Sequence, residues 1–306
     1  MDILNDVLDT LELKGWLSSR RELVPPWRYD FAPSKDSMFH ILSYGGAYLA
    51  VEGEAKPIRV GDGDVLLFPS GHPHSLYDNP TSSLTRLVHL DYNPQRGYQM
   101  VNREGEEPRL LMLCGAFHFD YPNNYPLLNR LPKLIHIPGA QGRLEQSFAD
   151  IVQILARESA SQQPGAAVIQ RRLTELLFIQ VIRLWVAHQA QASSGWVGAL
   201  QDEAISTALG LIHQSPAHKW TVNELAETVA LSRSAFSARF TDLVGEPPMA
   251  YLTRWRMVRA TRLIKNGVNM QAIAQQLGYE SEAAFRKAFK REIGLPPAQY
   301  RQLGWG

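Results

Sequence analysis

The chain of 306 residues contains one cysteine and carries a net charge of only +1. It also has no apolar run approaching the roughly 18 residues of a membrane helix. A single cysteine excludes a disulfide within the chain. The acidic, amphipathic start Met1-Asp2-Ile3-Leu4-Asn5-Asp6 is unlike a secretion signal. We therefore expect a cytoplasmic protein that makes no contact with a membrane. The length favours about two domains, and the hydrophobic content of 45% is sufficient for two cores.

The small net charge is unevenly distributed. Residues 199–306 hold 13 Lys and Arg against 9 Asp and Glu, a balance of +4, whereas the remainder holds 18 against 21, a balance of −3. A positive balance favours binding to nucleic acid, although +4 is modest. Nucleic-acid binding is therefore expected in the C-terminal third, provided that its motifs agree.

The C-terminal third contains an internal repeat. Its first copy has Leu225-Ala226, Val229, Phe236, Phe240, Gly245, Pro248 and Tyr251, and its second has Ile273-Ala274, Leu277, Phe285, Phe289, Gly294, Pro297 and Tyr300. The offset is 48 residues before a turn and 49 after it. Each copy predicts a helix, a tight turn and a second helix, which is the helix-turn-helix pattern. A solenoid fragment is the alternative, but solenoids usually need three or more repeats.

Local signals support these helices and turns. Thr221 is a natural N-cap, and Ser232 and Ser281 can cap the second helix of each copy. Gly278 suits a left-handed turn position; if Ala230 occupies that position in the first copy, its Cβ costs about 1–2 kcal/mol. Between the copies, Met249 to about Asn266 predicts a helix of roughly 18 residues and about 27 Å. The second helix of each copy is called a reader, because it is the helix expected to contact DNA bases. The helix between the copies could hold the two readers near one DNA turn apart on one face of the duplex.

Several segments carry a family resemblance: Ile273-Ala274, Gly278-Tyr279-Glu280-Ser281, residues 285–290, Gly294-Leu295-Pro296-Pro297 and Tyr300-Arg301. Through them, residues 203–303 resemble the DNA-binding domain of the AraC/XylS family of bacterial transcription regulators. The resemblance implies a double-stranded DNA operator and RNA polymerase as partners, and activation as the commoner mode of regulation. It implies no enzymatic activity, no catalytic residue and no cofactor.

Helical geometry selects the side chains expected to contact DNA. The paired phenylalanines of each second helix point inward, so at 100° per residue the opposite face is exposed. The expected contacts are Arg233, Ser234, Ser237, Ala238 and Arg239 in the first copy and Ser281, Glu282, Ala283, Arg286, Lys287 and Lys290 in the second. The second helix offers three cations for guanine edges or phosphates. We expect Arg286 to read a base and Arg233 to hold a phosphate; a solvated helix face is the alternative.

The N-terminal half predicts an antiparallel β barrel. Short apolar runs, broken by turn residues, occur at Phe39–Ser43, Ala47–Val51, Val65–Phe68 and Leu84–Leu90. Residues 63–74 resemble the second conserved motif of cupins: a glycine, five residues, Pro-x-Gly, two residues and a His. Cupin enzymes bind a metal with this His and with an earlier His-x-His and Glu. That earlier motif is absent here, because His40 is followed by Ile41-Leu42.

Two interpretations of this barrel follow. The first is a sensor that keeps the shape of a cupin without a metal, similar to the sensor domain of many AraC-type regulators. It would bind a small-molecule effector through Trp27, His40, Tyr48, His74 and His89. The second is a metal-dependent cupin enzyme fused to a DNA-binding domain, with zinc or iron held by His72, His74 and His89.

Cys114 lies in the apolar run 111–117. Residues 1–190 resemble the cupin-sensor subgroup of the family, which includes regulators that respond to reactive chlorine through N-terminal cysteines. The Cys114-Gly115 pair matches one of those cysteines by context, but its partner cysteine is missing. The resemblance thus implies a redox role for Cys114, with an oxidant as the effector. Buried packing is the alternative.

The expected fold is α+β: a cupin-like β barrel followed by helices, and an all-α C-terminal domain with two helix-turn-helix motifs joined by a linker helix. The expected boundaries are 1–140 for the sensor, 141–190 for helices, 191–200 for a linker and 201–306 for the DNA-binding domain. The second helix of 141–190 is broadly apolar, so it forms either a homodimer interface or internal packing. Three functions remain open: a signal-responsive regulator, the fused cupin enzyme, and a constitutive architectural DNA binder.

Overall fold

The computed structural model describes residues 2–11, 13–82, 86–88, 99–101, 109–119, 128, 130–139, 146–189 and 195–302. The chain separates into two compact units. The sheet unit comprises Glu12–Asp120 and Leu131–His188, and the helical unit comprises Met1–Leu11, Tyr121–Arg130 and Gln189–Gly306. The first helix of the chain therefore belongs with the C-terminal helices and not with the sheets that follow it.

The described strands of the sheet unit form two sheets. They are β1 (Leu13–Leu23), β2 (Arg28–Phe31), β3 (Ser37–Tyr44), β4 (Ala47–Val51), β5 (Ile58–Val60), β6 (Val65–Phe68), β7 (His74–Tyr77), β8 (Arg86–Val88), β9 (Gln99–Val101), β10 (Leu110–Phe119) and β11 (Ile135–Ile137). One sheet has the order β11-β6-β3-β10-β1-β9 and the other β5-β4-β7-β2-β8. The predicted cupin-like β architecture is confirmed.

The core of this unit is formed by inward-facing side chains of both sheets, including Phe31 and Leu49 from one sheet and Leu42, Phe68 and Met112 from the other. β2 and β4 alternate between buried and half-buried residues, as expected for strands with one face on a core. The sheets extend well beyond the apolar runs predicted between residues 39 and 90, because β1, β2, β10 and β11 lie outside that range.

Two helices cover the six-stranded sheet: α2 (Gln146–Glu158) and α3 (Ala166–His188). One face of α2 is buried, and it comprises Phe148, Ile151, Val152 and Leu155. α3 approaches β1 closely at Gly15, where a Cβ would lie 2.8 Å from Thr174 Cγ2. Phe178 of α3 packs against the rings of Phe117 and Phe119.

The helical unit contains the remaining helices. They are α1 (Ile3–Thr10), α4 (Gly195–Gln201), α5 (Glu203–Gln214), α6 (Val222–Thr228), α7 (Arg233–Val244), α8 (Pro248–Lys265), α9 (Met270–Gln276), α10 (Glu282–Ile293) and α11 (Pro297–Gln302). α1 packs against α5 and α8, with Ile3 and Val7 buried. In the described part of the chain, no helix has the length and apolarity that crossing a membrane requires.

Candidate nucleic-acid interface and sheet interior

The first helix-turn-helix consists of α6 and α7. The hydroxyl of Thr221 accepts a hydrogen bond from the backbone N–H of Glu224 at 3.1 Å, and Ser232 caps α7 through the N–H of Ala235 at 3.3 Å. Both predicted caps are confirmed. Ala230 has a φ of 55°, so it occupies the left-handed turn position despite its Cβ.

The second helix-turn-helix, α9 and α10, repeats this geometry. Gly278 takes the left-handed position with a φ of 75°, and Ser281 caps α10 through the N–H of Ala284 at 3.1 Å. The turns share a backbone hydrogen bond: Leu231 donates to the carbonyl of Ala226 at 2.9 Å, and Tyr279 donates to that of Ala274 at 2.8 Å. The sequence repeat is therefore a structural repeat.

The same aromatic residues anchor both copies. Phe236 and Phe240 of α7 are fully buried, as are Phe285 and Phe289 of α10. The ring of Tyr251 meets that of Phe240 edge-on at 5.8 Å, and that of Tyr300 meets Phe289 at 5.4 Å. Since these rings fix one face of each helix inward, the other face is directed away from the core.

Most of the predicted DNA contacts lie on these outer faces. In α7 and its cap, Arg233, Ser234, Ala238 and Arg239 are exposed, while Ser237 is half-buried. In α10 and its cap, Ser281, Ala283, Arg286, Lys287 and Lys290 are exposed, while Glu282 is half-buried. α10 thus presents three cations and α7 presents small side chains flanked by two arginines.

Two of these arginines already have carboxylate partners. Arg239 forms an ion pair of 2.5 Å with Asp202, whose other oxygen caps α5. Arg286 donates from Nε and Nη2 to Oε1 of Glu282, four residues earlier, at 2.7 and 2.6 Å. Exposed pairs of this kind contribute little stability, so a phosphate or a base edge could displace the carboxylate of Glu282.

The linker helix α8 connects the two copies. Its 18 residues give a length of about 27 Å, and it contacts α7 of the first copy and α9, α10 and α11 of the second. Arg256 links the segment that precedes α6 to the turn of the second copy: its guanidinium donates to the carbonyls of Pro216 and His218 at 2.6 and 2.9 Å and lies 5.6 Å from the ring centre of Tyr279. Nothing in the helical periodicity of the sequence distinguished Arg256 from the other arginines of this helix.

The sheet unit contains a buried histidine pair. Nε2 of His40 and Nε2 of His74 are 2.7 Å apart, between the rings of Phe31 and Phe68. Nδ1 of His74 lies 2.8 Å from the carbonyl of His72, so it carries the proton and donates. Nε2 of His74 is then an acceptor and His40 donates to it.

This tautomer leaves Nδ1 of His40 as a buried acceptor, and it has no hydrogen-bond partner among the described residues. Burial lowers the pKa of His74 from 6.5 to about 4. Burial also lowers the pKa of His40 well below 6.5, and the neighbouring imidazole of His74 lowers it further. The pair is therefore neutral near pH 7.

The other predicted effector residues are not gathered at this pair. Trp27 is buried in the core, with its ring centre 6.1 Å from that of Tyr29. Tyr48 lies on the opposite face of β4 from the core and stacks on Tyr77 at 5.9 Å. His89 lies outside the described residues. The structure instead adds Cys114, because β10 places it opposite His40 in β3.

Cys114 is fully buried. Burial raises the pKa of its thiol, although Ser19 and Arg21 lie close enough to oppose that effect. A thiol that is protonated and shielded from solvent reacts slowly with oxidants. The position favours the packing interpretation of this residue over the redox interpretation.

The described residues do not provide a cupin metal centre. Nε2 of His72 lies 2.9 Å from the carbonyl of Glu52, and Nε2 of His74 faces His40. Within the described ranges, no group of three or more His, Cys, Asp or Glu side chains is arranged to hold a metal ion. Two imidazoles bonded to each other do not supply the three protein ligands that catalytic metal sites commonly use.

Comparison with known proteins agrees with the cupin-like architecture of the N-terminal part and with the helix-turn-helix motifs of the C-terminal part. Residues 2–187 match the family described as Cupin, and residues 225–303 match the one described as Helix-turn-helix domain. A Streptomyces lividans protein named as an AraC-like transcription regulator is 33% identical over 99% of this chain and 98% of its own. The chain belongs to the AraC-like transcription regulators with a cupin domain. Like them, it is a DNA-binding transcription regulator.

Other AraC-like relatives match over the same length. The transcriptional regulator AlkR of Acinetobacter baylyi is 30% identical over 99% of both chains. The RCS-specific transcriptional activator RclR of Escherichia coli is 26% identical over 99% of this chain and 98% of its own. Among solved structures, ToxT of Vibrio cholerae is 11% identical over 97% of this chain and 99% of its own, with a TM-score of 0.40. The DNA-binding domain of AdpA in complex with DNA is 28% identical over 33% of this chain and 91% of its own, with a TM-score of 0.31.

Proposed function

We propose that this AraC-like regulator binds a specific operator by placing α7 and α10 in successive major grooves. The observation that supports this most directly is the pair of matched helix-turn-helix motifs packed on one linker helix of about 27 Å, each with an exposed outer face. Successive major grooves on one face of B-DNA are about 34 Å apart, which a rod of this length with a reader at each end can span.

The two readers contribute differently. α10 supplies Arg286, Lys287 and Lys290, so it carries most of the base readout and of the attraction to phosphate. Around α7, Ser234, Ser237 and Ala238 permit close approach, and Arg233 holds a phosphate. Arg239 serves to orient α7 through Asp202 as well as to face the DNA. At the start of α10, Ser281, Glu282 and Ala283 complete the contact surface.

The sheet unit would sense the signal. Nδ1 of His40 is a buried acceptor without a described partner, and such a group costs free energy unless a donor reaches it. A small effector that donates an O–H or N–H to this atom would be stabilised there by the aromatic rings around it. Of the other predicted residues, His74 adjoins the His40 ring and would contact the effector, whereas Trp27 and Tyr48 lie apart from the pair and would be peripheral to it. The predicted contact of His89 stays a prediction, because that residue lies outside the described residues.

A redox signal at Cys114 is the less favoured alternative, because the thiol is fully buried and burial raises its pKa. We propose that the response is activation, that RNA polymerase is the second partner, and that the regulator acts as a homodimer through α3. We also propose that it is not an enzyme, because His40 and His74 bond to each other and leave a metal too few ligands.

Selection of bound DNA from a random library tests the operator proposal. We expect two short conserved half-sites about one helical turn apart, and gel-shift competition in which random DNA competes at least a hundredfold less well than the selected site. A single half-site, or equal competition by random DNA, contradicts the proposal and favours the architectural binder. Transcription from the selected site that responds to no added compound would contradict the sensing role of the sheet unit.

A further inference from the structure

A cavity of about 540 Å³ lies inside the helical unit, between α1, α5 and α8. Its walls include Asp6 and Asp9 of α1, His213 of α5, and Trp255, Arg259 and Leu263 of α8. Sites for small molecules usually have volumes of about 300–1,000 Å³. This cavity is separate from the outer faces of α7 and α10 and from the histidine pair of the sheet unit, so the function proposed above does not use it.

The acidic groups of the cavity already have partners. Oδ2 of Asp9 accepts a hydrogen bond from the Arg262 guanidinium at 2.6 Å. Oδ2 of Asp6 lies 3.3 Å from Nδ1 of His213, and the hydroxyl of Tyr251 lies 2.7 Å from Nε2 of the same ring. Because burial keeps the pKa of Tyr251 above its usual value, that hydroxyl is a donor, so His213 is neutral and donates from Nδ1 to Asp6.

Arg259 is the second arginine that lines the cavity, beside the paired Arg262. Its side chain is exposed at the cavity and forms no ion pair with any residue that the structure describes. Trp255 and Leu263 lie four residues before and after it on α8, so the three side chains follow one face of the helix. The indole of Trp255 is stacked on the imidazole of His213, with ring centres 3.8 Å apart and an angle of 9°. The guanidinium therefore stands between a rigid aromatic wall and an aliphatic one.

We propose that this cavity binds a small organic carboxylate with a flat, apolar body. The carboxylate would pair with the guanidinium of Arg259, in the bidentate geometry that favours this pairing, and the body would lie against Trp255 and Leu263. Bound there, it would bridge α1 to the linker helix that holds both readers. No sequence pattern indicated this site, since residues 1–140, which include α1, were expected to form the sensor.

Calorimetric titration of the full chain with 2-naphthoate tests this proposal. We expect one site per chain, and binding weakened about tenfold or more in Arg259→Gln, because a charge-assisted hydrogen bond is lost. Arg157→Gln removes an exposed cation of α2 instead, and should bind like the original chain. The neutral methyl ester should bind about tenfold more weakly than the acid.

Four results would overturn the proposal: no binding of 2-naphthoate, equal affinity in Arg259→Gln, equal affinity for the methyl ester, or equal affinity for inorganic phosphate, which would indicate an unspecific anion site. DNA affinity supplies a separate check in the absence of naphthoate. If Arg259→Gln lowers DNA affinity and reduces its salt dependence by about one phosphate contact, the guanidinium belongs to the DNA interface and the proposal is wrong. None of the titrations requires DNA, so they can fail while the operator proposal stands.

Discussion

At the scale of single residues, the two turns offer a matched experiment. Ala230 and Gly278 occupy equivalent left-handed positions, with φ of 55° and 75°. Ala230→Gly should slow hydrogen exchange of α6 and α7 by stabilising the turn by about 0.5–1 kcal/mol, since Gly adopts this φ without strain. Gly278→Ala should speed exchange of α9 and α10, because its Cβ would lie 2.1 Å from the carbonyl oxygen of Ala217. Faster exchange in Ala230→Gly would contradict this account.

The readout assignment also belongs to single residues. Arg286→Ala should relax sequence preference at one operator position, at a cost of about 1–3 kcal/mol for the preferred base. Arg233→Ala should weaken all sites alike and lower the salt slope by about one contact. Binding to a library of operator variants at several salt concentrations measures both. Unchanged affinity in both variants would contradict the assignment of Arg286 to a base and of Arg233 to a phosphate.

The thiol of Cys114 is predicted to be inert. Since it is buried and its pKa is raised, reaction with a disulfide reagent in the native chain should be roughly a hundredfold slower than in guanidinium chloride, where the chain is open. Cys114→Ser should therefore leave any oxidant-dependent transcription as it was. Rapid native labelling, together with loss of an oxidant response in Cys114→Ser, would support the redox alternative.

At the scale of elements, β1 shows where a pattern can mislead. Its buried positions alternate regularly, but they include Ser19 and Arg21. The guanidinium of Arg21 lies 4.6 Å from the ring centre of Tyr29 and donates to the hydroxyl of Ser19 at 3.1 Å. Inward positions of a strand are normally apolar, so β1, which has polar residues at two of them, was not predicted. The aromatic partner of Arg21 comes from β2, and only the packed sheets bring it alongside.

The surface of α3 predicts how subunits associate. Ile169 and Leu176 are exposed on this helix by 44% and 41%, and they lie seven residues apart on one face. Leu176→Glu should weaken a homodimer by about tenfold or more, as measured by sedimentation equilibrium, because it buries a charge in an apolar contact. Ala167→Glu is the control, since this exposed residue lies on the opposite face of α3 from Leu176. A monomeric parent chain, or equal effects of both variants, would leave α3 without a role in dimerisation.

At the scale of the whole molecule, buried imidazoles make stability depend on pH. Burial lowers the pKa values of His74 and His213 from 6.5 to about 4. The unfolded chain takes up these protons near pH 6.5 and the folded chain does not, so stability should fall as pH decreases from 7 towards 4. Each histidine lowers the free energy of unfolding by at most about 1.4 kcal/mol per pH unit in that range.

Urea unfolding at pH 7.5 and at pH 5 tests this dependence. For the sheet unit, the free energy of unfolding at pH 7.5 exceeds that at pH 5, and His74→Gln should reduce this difference by about 1–2 kcal/mol. His213→Gln should do the same for the helical unit and leave the sheet unit unchanged. A pH dependence that is identical in all three chains would show that these imidazoles are not the groups responsible.

The sequence by itself determined the repeated helix-turn-helix motifs, their caps, the turn that contains Ala230 and the cupin-like strands. These features rest on local rules, namely capping, turn conformation and periodicity, that act over a few neighbouring residues. Tertiary structure alone decided that α1 joins the C-terminal helices, that Asp202 holds Arg239, that His40 pairs with His74, and that Tyr48 faces away from both. Each of these contacts joins residues at least 34 positions apart or depends on which face of a strand meets the core, and no local pattern encodes such proximity.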